Sequence, residues 1–370
     1  MLYRLAPDEA EALGFEIKQK PKIGNPKYDL SDAQVEQLTT LRNYSGLKNA
    51  ASEDGVDLKS FPMMWLKTQL GSYSIRNPHY EKPEERSLKD FEDHILKKIE
   101  THAPSYIPFV RSLDSVQNNV LVINPADVHI GKLCKAFETG DDYTIDIAVR
   151  RVKEGVEGIL NYASGYNIEK IIFVGGNDIL HVDTPRNTTT SGTPQDVDGR
   201  WFEHFRAALD LYIELLERLT LVADVHFVYC PSNHDWQSGF FLCQAVEKFF
   251  SRNENITFDV SLMHRKYVQY GKNLIGFTHG DGGKVQDLPL SMAEEAAKAW
   301  AETRHRYIYM HHVHHKMSKD YQSVSVESMR SPSGTDGWHS RNQYHNNIKA
   351  IEGFIHNYEN GQIARFNYIF

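Results

Sequence analysis

The chain has 370 residues, of which 41% are hydrophobic and 24% charged, and carries a net charge of −8 at neutral pH. That length accommodates one large domain and a smaller one, and the acidic balance means that a nucleic-acid partner would need a local basic groove or bound metal. No apolar run is long enough to span a membrane; the opening Met1 to Asp8 lacks signal-peptide order, and three cysteines (Cys134, Cys230, Cys243) with no Cys-x-x-Cys pair suit a reducing cytoplasm.

The first 110 residues read as a small helical domain. Ser31 or Asp32 caps a predicted helix running to about Arg42. A second helix from Leu47 to Asp54, a turn at Gly55 and a third helix around Met63 to Gln69 come next. Ala51, Gly55, Val56 and Phe61 fall where a helix-turn-helix places its small, turn and core residues, although Pro62 must then sit in the first turn of the third helix. The alternative is a helical packing domain that touches no DNA. Residues 1–110 hold 15 Lys+Arg against 17 Asp+Glu, a net of −2, which gives no support to DNA reading. Ala103 to Pro108, with two prolines, reads as a linker, and the boundary is placed within 103–118.

From residue 119 the rhythm changes. Val120 to Asn124 is an apolar run of the buried-strand type, and Asp146 to Ala163 shows helical spacing through Val149, Val152, Val156 and Ile159. Ile171 to Val174 is the next buried strand, giving a β-α-β unit with a parallel pair. A helix from Phe202 to Leu219 and a strand from Val225 to Tyr229 repeat the pattern. Tyr267 to Tyr270 and Leu274 to Thr278 form a hairpin across Gly271. A helix from Met292 to Arg304 precedes the strand Tyr307 to Met310, and a last hairpin turns at Asn360-Gly361. The mixture predicts two sheets packed face to face with helices outside.

Five short motifs stand at the ends of these strands: Asp127-Val128-His129, Gly176-Asn177-Asp178, Asn233-His234-Asp235, His279-Gly280-Asp281 and His312-Val313-His314. Residues i and i+2 at a strand end project to one side, so Asp127 with His129, and His312 with His314, can each reach a single ion. Gly131 lets the chain turn away. A carboxylate such as Asp178 has two oxygens and can bridge two cations about 3.5–4 Å apart. Asn233 offers a neutral amide oxygen, and His234 stands where it can act on substrate, with Asp235 as the carboxylate that would orient and charge it. His181 either points into the same pocket or serves as a capping histidine. His311 and His315 flank the last pair; an adventitious metal-binding patch is the competing reading of these four histidines. The absence of cysteine from all five motifs disfavours a structural zinc site and favours Mn²⁺, Fe²⁺ or catalytic Zn²⁺.

The order Asp-x-His, Gly-Asn-Asp, Asn-His-Asp, His, His-x-His resembles the calcineurin-like metallophosphoesterases over residues 119–320. Two positions depart from the usual pattern: Asn177 intervenes in the second motif, and His311 replaces the glycine of the last. The resemblance implies a four-layer α/β/β/α metallophosphoesterase sandwich over 119–370, preceded by the helical N-terminal domain 1–110. It implies one metal on Asp127, His129, Asp178 and His314 and a second on Asp178, Asn233, His279 and His312. It makes His234 the proton donor or transition-state stabiliser, with Asp235 behind it, and it implies in-line attack of a metal-bridging hydroxide on phosphorus. Two divalent ions are implied, Mn²⁺ first, with Fe²⁺, Zn²⁺ or Mg²⁺ as alternatives. Asn177-Asp178-Ile179-Leu180-His181 and the aspartate after Asn233-His234 look like the repair-nuclease branch, so DNA is the expected substrate and a nuclease, endo or exo, the expected activity. Trp65-Leu66-Lys67 and Ile75 to Pro78 look similar to phage-encoded phosphoesterases. The alternative substrate is a small nucleotide, as phosphodiester or phosphomonoester; a non-enzymatic metal-bound scaffold is a third reading, disfavoured because every ligand position is filled. Pro185 to Arg200 reads as a loop facing substrate. No membrane partner is expected, and assembly into a homo-oligomer is left open.

Overall fold

The computed structural model describes residues 118–341 and 347–370, together with 2–5, 11–13, 27–29, 31–33, 63–68, 71–76, 93, 96–97, 99–101 and 103–106. The chain divides into two compact units, Met1–Glu92 and Asp93–Phe370.

In the first unit, β1 (Leu2–Arg4) pairs antiparallel with β2 (Lys27–Asp29), and β3 (Met63–Thr68) with β4 (Gly71–Arg76). The expected third helix around Met63 is therefore a hairpin strand. Its neighbour supplies the reason: Gly71-Ser72-Tyr73-Ser74-Ile75-Arg76 alternates with period two and pairs with Met63–Thr68 from Gly71 opposite Thr68 to Arg76 opposite Met63. Asp32 and Ala33 are helical, as expected at that helix start. The remainder of that helix and the whole Leu47 to Asp54 helix lie outside the described residues. The segment read as a linker belongs to the second unit. Tyr106 stacks on Phe250 at 5.6 Å and donates to Glu217 at 2.9 Å, while Arg252 donates to the Ala103 carbonyl at 3.1 Å.

The second unit is built on two sheets. The strands of the first are β5 (Asn119–Asn124), β6 (Ile168–Gly176), β7 (Asp224–Cys230), β8 (Ile256–Asp259), β14 (Ala350–Asn357) and β15 (Gly361–Ile369), in the order β15-β14-β5-β6-β7-β8. β5 to β8 run parallel, and β14 joins β5 antiparallel. The second sheet has β9 (Arg265–Tyr270), β10 (Asn273–Thr278), β11 (His305–Met310), β12 (Met317–Tyr321) and β13 (Val324–Ser328), in the order β12-β13-β11-β10-β9.

Strand alternation sorts the core into layers. Leu121 and Ile123 face one way, against α2 (Ile145–Tyr162), α3 (Trp201–Thr220) and α4 (Trp236–Phe249); a short α1 (Ala136–Thr139) precedes these. Val120 and Val122 face the other way, and with Ile172, Val174 and Val228 they pack on Ile275, Phe277 and Tyr309 of the second sheet. Beyond that sheet, Leu274, Ile308 and Val326 pack under Met292 of α5 (Leu288–Glu295) and Trp300 of α6 (Ala297–Glu302). The result is the four-layer α/β/β/α sandwich the sequence predicts. The facing sides of the two sheets are apolar, and the central strands β5 and β10 are buried along their whole length.

Three local details differ from expectation. The helix expected over Met292 to Arg304 begins at Leu288, with Pro289 in its first turn, and breaks at Ala296, for which nothing in the structure gives a reason. The last hairpin pairs Asn357 with Gly361, so its loop is Tyr358 to Asn360. Asn357 accepts there from the Glu359 and Asn360 amides at 3.2 and 3.1 Å. A last short helix, α7 (Gly337–Arg341), comes after the loop beyond β13. None of the helices among the described residues is long and apolar enough to cross a membrane, and all three cysteines are buried free thiols.

Candidate metal centre

All five motifs sit past the carboxyl ends of β5, β6, β7, β10 and β11 and converge. Asp127 and His129 are not on the strand itself. They lie in the loop beyond β5, which runs alongside the loop beyond β6: Asp127 N donates to Asn177 O at 2.9 Å, His129 N to Asp178 O at 2.9 Å, and Ile130 N to Ile179 O at 2.7 Å. A zipped pair of loops, not a strand end, thus positions both residues. Left-handed backbone aims the side chains: Asp127, His129, Asn177, Asp178, His312 and His314 all have φ between +49° and +69°. Each such residue costs of order 1 kcal/mol or more and persists only where surrounding structure holds it, which is typical of functional sites. Asparagine at 177 is among the residues that tolerate this conformation best. Gly176 (φ +74°) can be nothing else, because a Cβ there would lie 2.4 Å from the Cys230 carbonyl.

Two groups of ligand-type atoms form, each within a 4.8 Å span: Asp127, His129 and His314, and Asp178, His279 and His312. They adjoin. His279 Nε2 lies 3.2 Å from Asp178 Oδ2 and 2.9 Å from Asn233 Oδ1, and its Nδ1 is 4.0 Å from Asp127 Oδ1. His129 Nε2 lies 3.2 Å from His314 Nε2 and 4.0 Å from Asp178 Oδ2, and His314 Nε2 lies 3.5 Å from Asp127 Oδ1. Asp178 Oδ2 thus lies between the two groups, 3.2 Å from His279 and 4.0 Å from His129, while its Oδ1 accepts from His234 N at 2.9 Å.

The electrostatics fit cations. Burial pushes the Asp127 carboxyl up to about 7, with the His279 charge opposing and the Asp178 charge adding to the rise. Burial also works against the Asp178 charge, but His279, by charge and hydrogen bond, outweighs it and holds Asp178 well below the usual carboxylate range. Burial opposes the His279 charge in turn, yet Asp178 and Asp127 together raise that imidazole to about 9. His129 is driven well down by burial and by the neighbouring His234, His314 and His181. Two buried carboxylates and converging imidazole nitrogens, with His279 Nδ1 lacking any hydrogen-bond partner, are a donor set that divalent ions satisfy.

His234 and His181 stand beside these groups. The His234 Nδ1 is 2.9 Å from the His181 carbonyl, and the two rings stack at 5.4 Å. His181 Nδ1 in turn lies 3.4 Å from His129 Nδ1, so His129, His181 and His234 make a third imidazole group. Asp235 does not pair with His234. Its Oδ1 accepts from Ser232 Oγ at 2.6 Å and its Oδ2 from Leu180 N at 2.9 Å. Ser232 Oγ also accepts from Asp178 N at 2.7 Å, so Asp235 ties the second and third loops together and the His181 carbonyl orients His234. The expected carboxylate-histidine pair fails because Asp235 is the N-cap of α4, and its side chain turns inward beneath Gly239 of that helix's first turns.

His311, the other departure, is fully buried between Thr278 O at 3.0 Å and Asn124 Oδ1 at 2.9 Å. A neutral imidazole donates through one nitrogen and accepts through the other, and Asn124 Nδ2 otherwise has no partner. The Asn124 amide turned over would let Nδ2 donate to His311 Nε2 while His311 Nδ1 donates to the Thr278 carbonyl. His311 is therefore a strut between the two sheets and not a ligand. His315 bonds the Val313 carbonyl at 2.7 Å.

A cavity of about 390 Å³ opens on the centre, lined by His129, Asp178, His181, His234, His312 and His314. Thr193 to Asp196, part of the Pro185 to Arg200 loop, form one wall of this cavity. Lys132, Asp336 and Gly337 complete the wall. None of these three is among the residues expected from the sequence. Lys132 directly follows Gly131, which could have drawn notice to it, but Asp336 and Gly337 arrive from a remote loop that carries no motif.

No family model matches the chain, and no curated protein does. Solved structures similar to it include an archaeal phosphodiesterase, at 13% identity and TM-score 0.33 over 68% of this chain and 99% of that one. Vps29 of Entamoeba histolytica complexed with Zn²⁺ matches at 10% identity and TM-score 0.28 over 67% of this chain and 98% of that one. A predicted phosphoesterase of Streptococcus pneumoniae matches at 13% identity and TM-score 0.26 over 68% of this chain and 98% of that one.

Proposed function

We propose that this chain is a dinuclear-metal phosphodiesterase and that DNA is its substrate. The observation that carries the reading is the adjoining pair of ligand groups, Asp127/His129/His314 and Asp178/His279/His312, with Asp178 Oδ2 lying between them. Asn233 joins the second group through its Oδ1. Such a set holds two divalent cations, which when bound neutralise charge developing on a phosphate and lower the pKa of water.

The remaining groups belong to the protein's own part of the chemistry. His234 has its Nδ1 fixed on the His181 carbonyl, which leaves Nε2 as its working nitrogen; protonated, it donates to the leaving oxygen. The stacked His181 ring keeps His234 from swinging out. The buried, zipped loops keep both ligand groups fixed before substrate arrives, so little reorganisation is needed at the moment of reaction.

The nuclease reading rests on the likeness of Asn177 to His181 and of Asn233-His234-Asp235 to the repair-nuclease branch. Its test is incubation of the protein and Mn²⁺ with labelled single- and double-stranded DNA. Cleavage is expected; intact DNA alongside brisk hydrolysis of a small phosphodiester refutes the substrate while keeping the chemistry. The second reading, a small-nucleotide phosphoesterase, is favoured by the net charge of −8 and by the modest cavity of about 390 Å³.

A further inference from the structure

Lys132 stands out among the groups that neither metal binding nor proton donation uses. Its side chain is almost fully buried, and it is the one lysine or arginine lining the cavity among the described residues. Its ammonium meets the Asp336 carboxylate at 2.9 Å, and Asp336 is itself partly exposed. Its backbone amide donates to the His129 carbonyl at 3.0 Å, and it lines the same cavity as His129 and His181, so it stands beside the first ligand group.

As a purely structural element this arrangement is poor. Burying an ammonium costs several kcal/mol, which one carboxylate offsets only in part. A cation lodged next to a site built to gather cations is repelled by them at close range. The arrangement becomes favourable when an anion enters the cavity between Lys132 and the metal centre. The scissile phosphate is already provided for by the two ligand groups and His234. A second anionic group, one phosphate further along the substrate, is what remains for Lys132 to meet.

We propose that Lys132 is a specificity-determining residue whose ammonium binds a phosphate adjacent to the scissile one, so that the centre favours esters carrying at least two phosphate groups. This rests on the phosphodiesterase reading and narrows its substrate class. Asp336 holds the ammonium in place until substrate competes for it. The shared chemistry, two neighbouring phosphates, belongs to a nucleic-acid strand and to a dinucleoside diphosphate alike.

The test compares kcat/KM of the Mn²⁺-loaded full chain on dithymidine monophosphate, which has the scissile phosphate alone, with the same molecule bearing a further 5′- or 3′-phosphate. A dinucleoside diphosphate is a separate arm that distinguishes a pyrophosphate link from a strand. The wild type should prefer at least one two-phosphate substrate. Lys132→Met should cut that preference about tenfold or more, as loss of a charge-assisted hydrogen bond does, mostly through KM, and Lys132→Arg should restore part of it. Asp336→Asn, which releases the ammonium from its carboxylate, should move the preference the other way. Metal content and the unfolding midpoint of each variant show whether the change is local. A wild-type preference that neither Lys132→Met nor Asp336→Asn alters overturns the role of Lys132, as does an equal loss on all substrates. A wild type inactive on every ester instead overturns the phosphodiesterase reading, and the role of Lys132 with it.

Discussion

Gly176→Ala is the substitution whose cost follows most directly from the backbone. Gly176 ends β6 with φ +74°, and an added Cβ would sit 2.4 Å from the Cys230 carbonyl oxygen, a backbone atom that cannot rotate away. That carbonyl accepts the Asn177 amide at 3.0 Å. Placing alanine in left-handed backbone costs roughly 1–2 kcal/mol, and relieving the clash sacrifices or weakens a buried hydrogen bond worth about 1–3 kcal/mol. The two together come to roughly 3 kcal/mol. Gly192→Ala is the internal control, because Gly192 has φ +89° but open space where its Cβ would be; it should lose only the first part. Urea denaturation of the two variants reads the difference. The displacement also passes to Asp178, two residues on, so Gly176→Ala should lose metal affinity where Gly192→Ala does not. Equal stability losses, or a Gly176→Ala protein with wild-type metal content, would refute the reasoning.

Two further outcomes are expected. Asp235→Asn should lower stability while reducing kcat less than about tenfold, since Asp235 holds Ser232 and Leu180 and does not orient His234; a loss of several thousandfold, as in a true carboxylate-histidine pair, would restore the orienting role. His356 is fully buried, and burial holds its imidazole down at about 3 against an ordinary 6.5. The unfolded chain therefore takes up that proton first, so stability is full above about 6.5 and falls with pH by about 1.4 kcal/mol per unit towards 3. The His356→Gln protein, whose amide can still meet Tyr309 Oη, should lose that part of the slope when denaturation is compared at about pH 7, 6 and 5; an unchanged slope would contradict it.

Much of the sandwich is legible in the sequence because apolar runs and helical spacing each have one period and one burial face. Val120 to Asn124 and Ile171 to Val174 read as buried strands without knowledge of their neighbours. The candidate ligands are legible because their residue types and order carry the chemistry. Direction is not legible. Asp235 adjoins His234 in sequence, yet the start of a helix turns it into the core, and the carbonyl of His181, remote in sequence, takes its place. The left-handed backbone of Asp127, His129, His312 and His314 is likewise a product of tertiary hydrogen bonding around these loops and has no local signal. Met63 to Thr68 shows the converse: a segment read as a helix is a strand because it pairs with Gly71 to Arg76. Lys132 carries only the weak signal of following Gly131, because its significance depends on a wall supplied by residues 336 and 337.

Metal stoichiometry tests the central claim most directly. Mass-spectrometric counting of ions in protein purified with Mn²⁺ should give two per chain in the wild type, one or none in Asp178→Ala, and two in His234→Ala despite its slowed turnover. Loss of ions from His234→Ala would place that imidazole, with His129 and His181, among the ligands, and two ions retained by Asp178→Ala would contradict the bridging carboxylate on which the account depends.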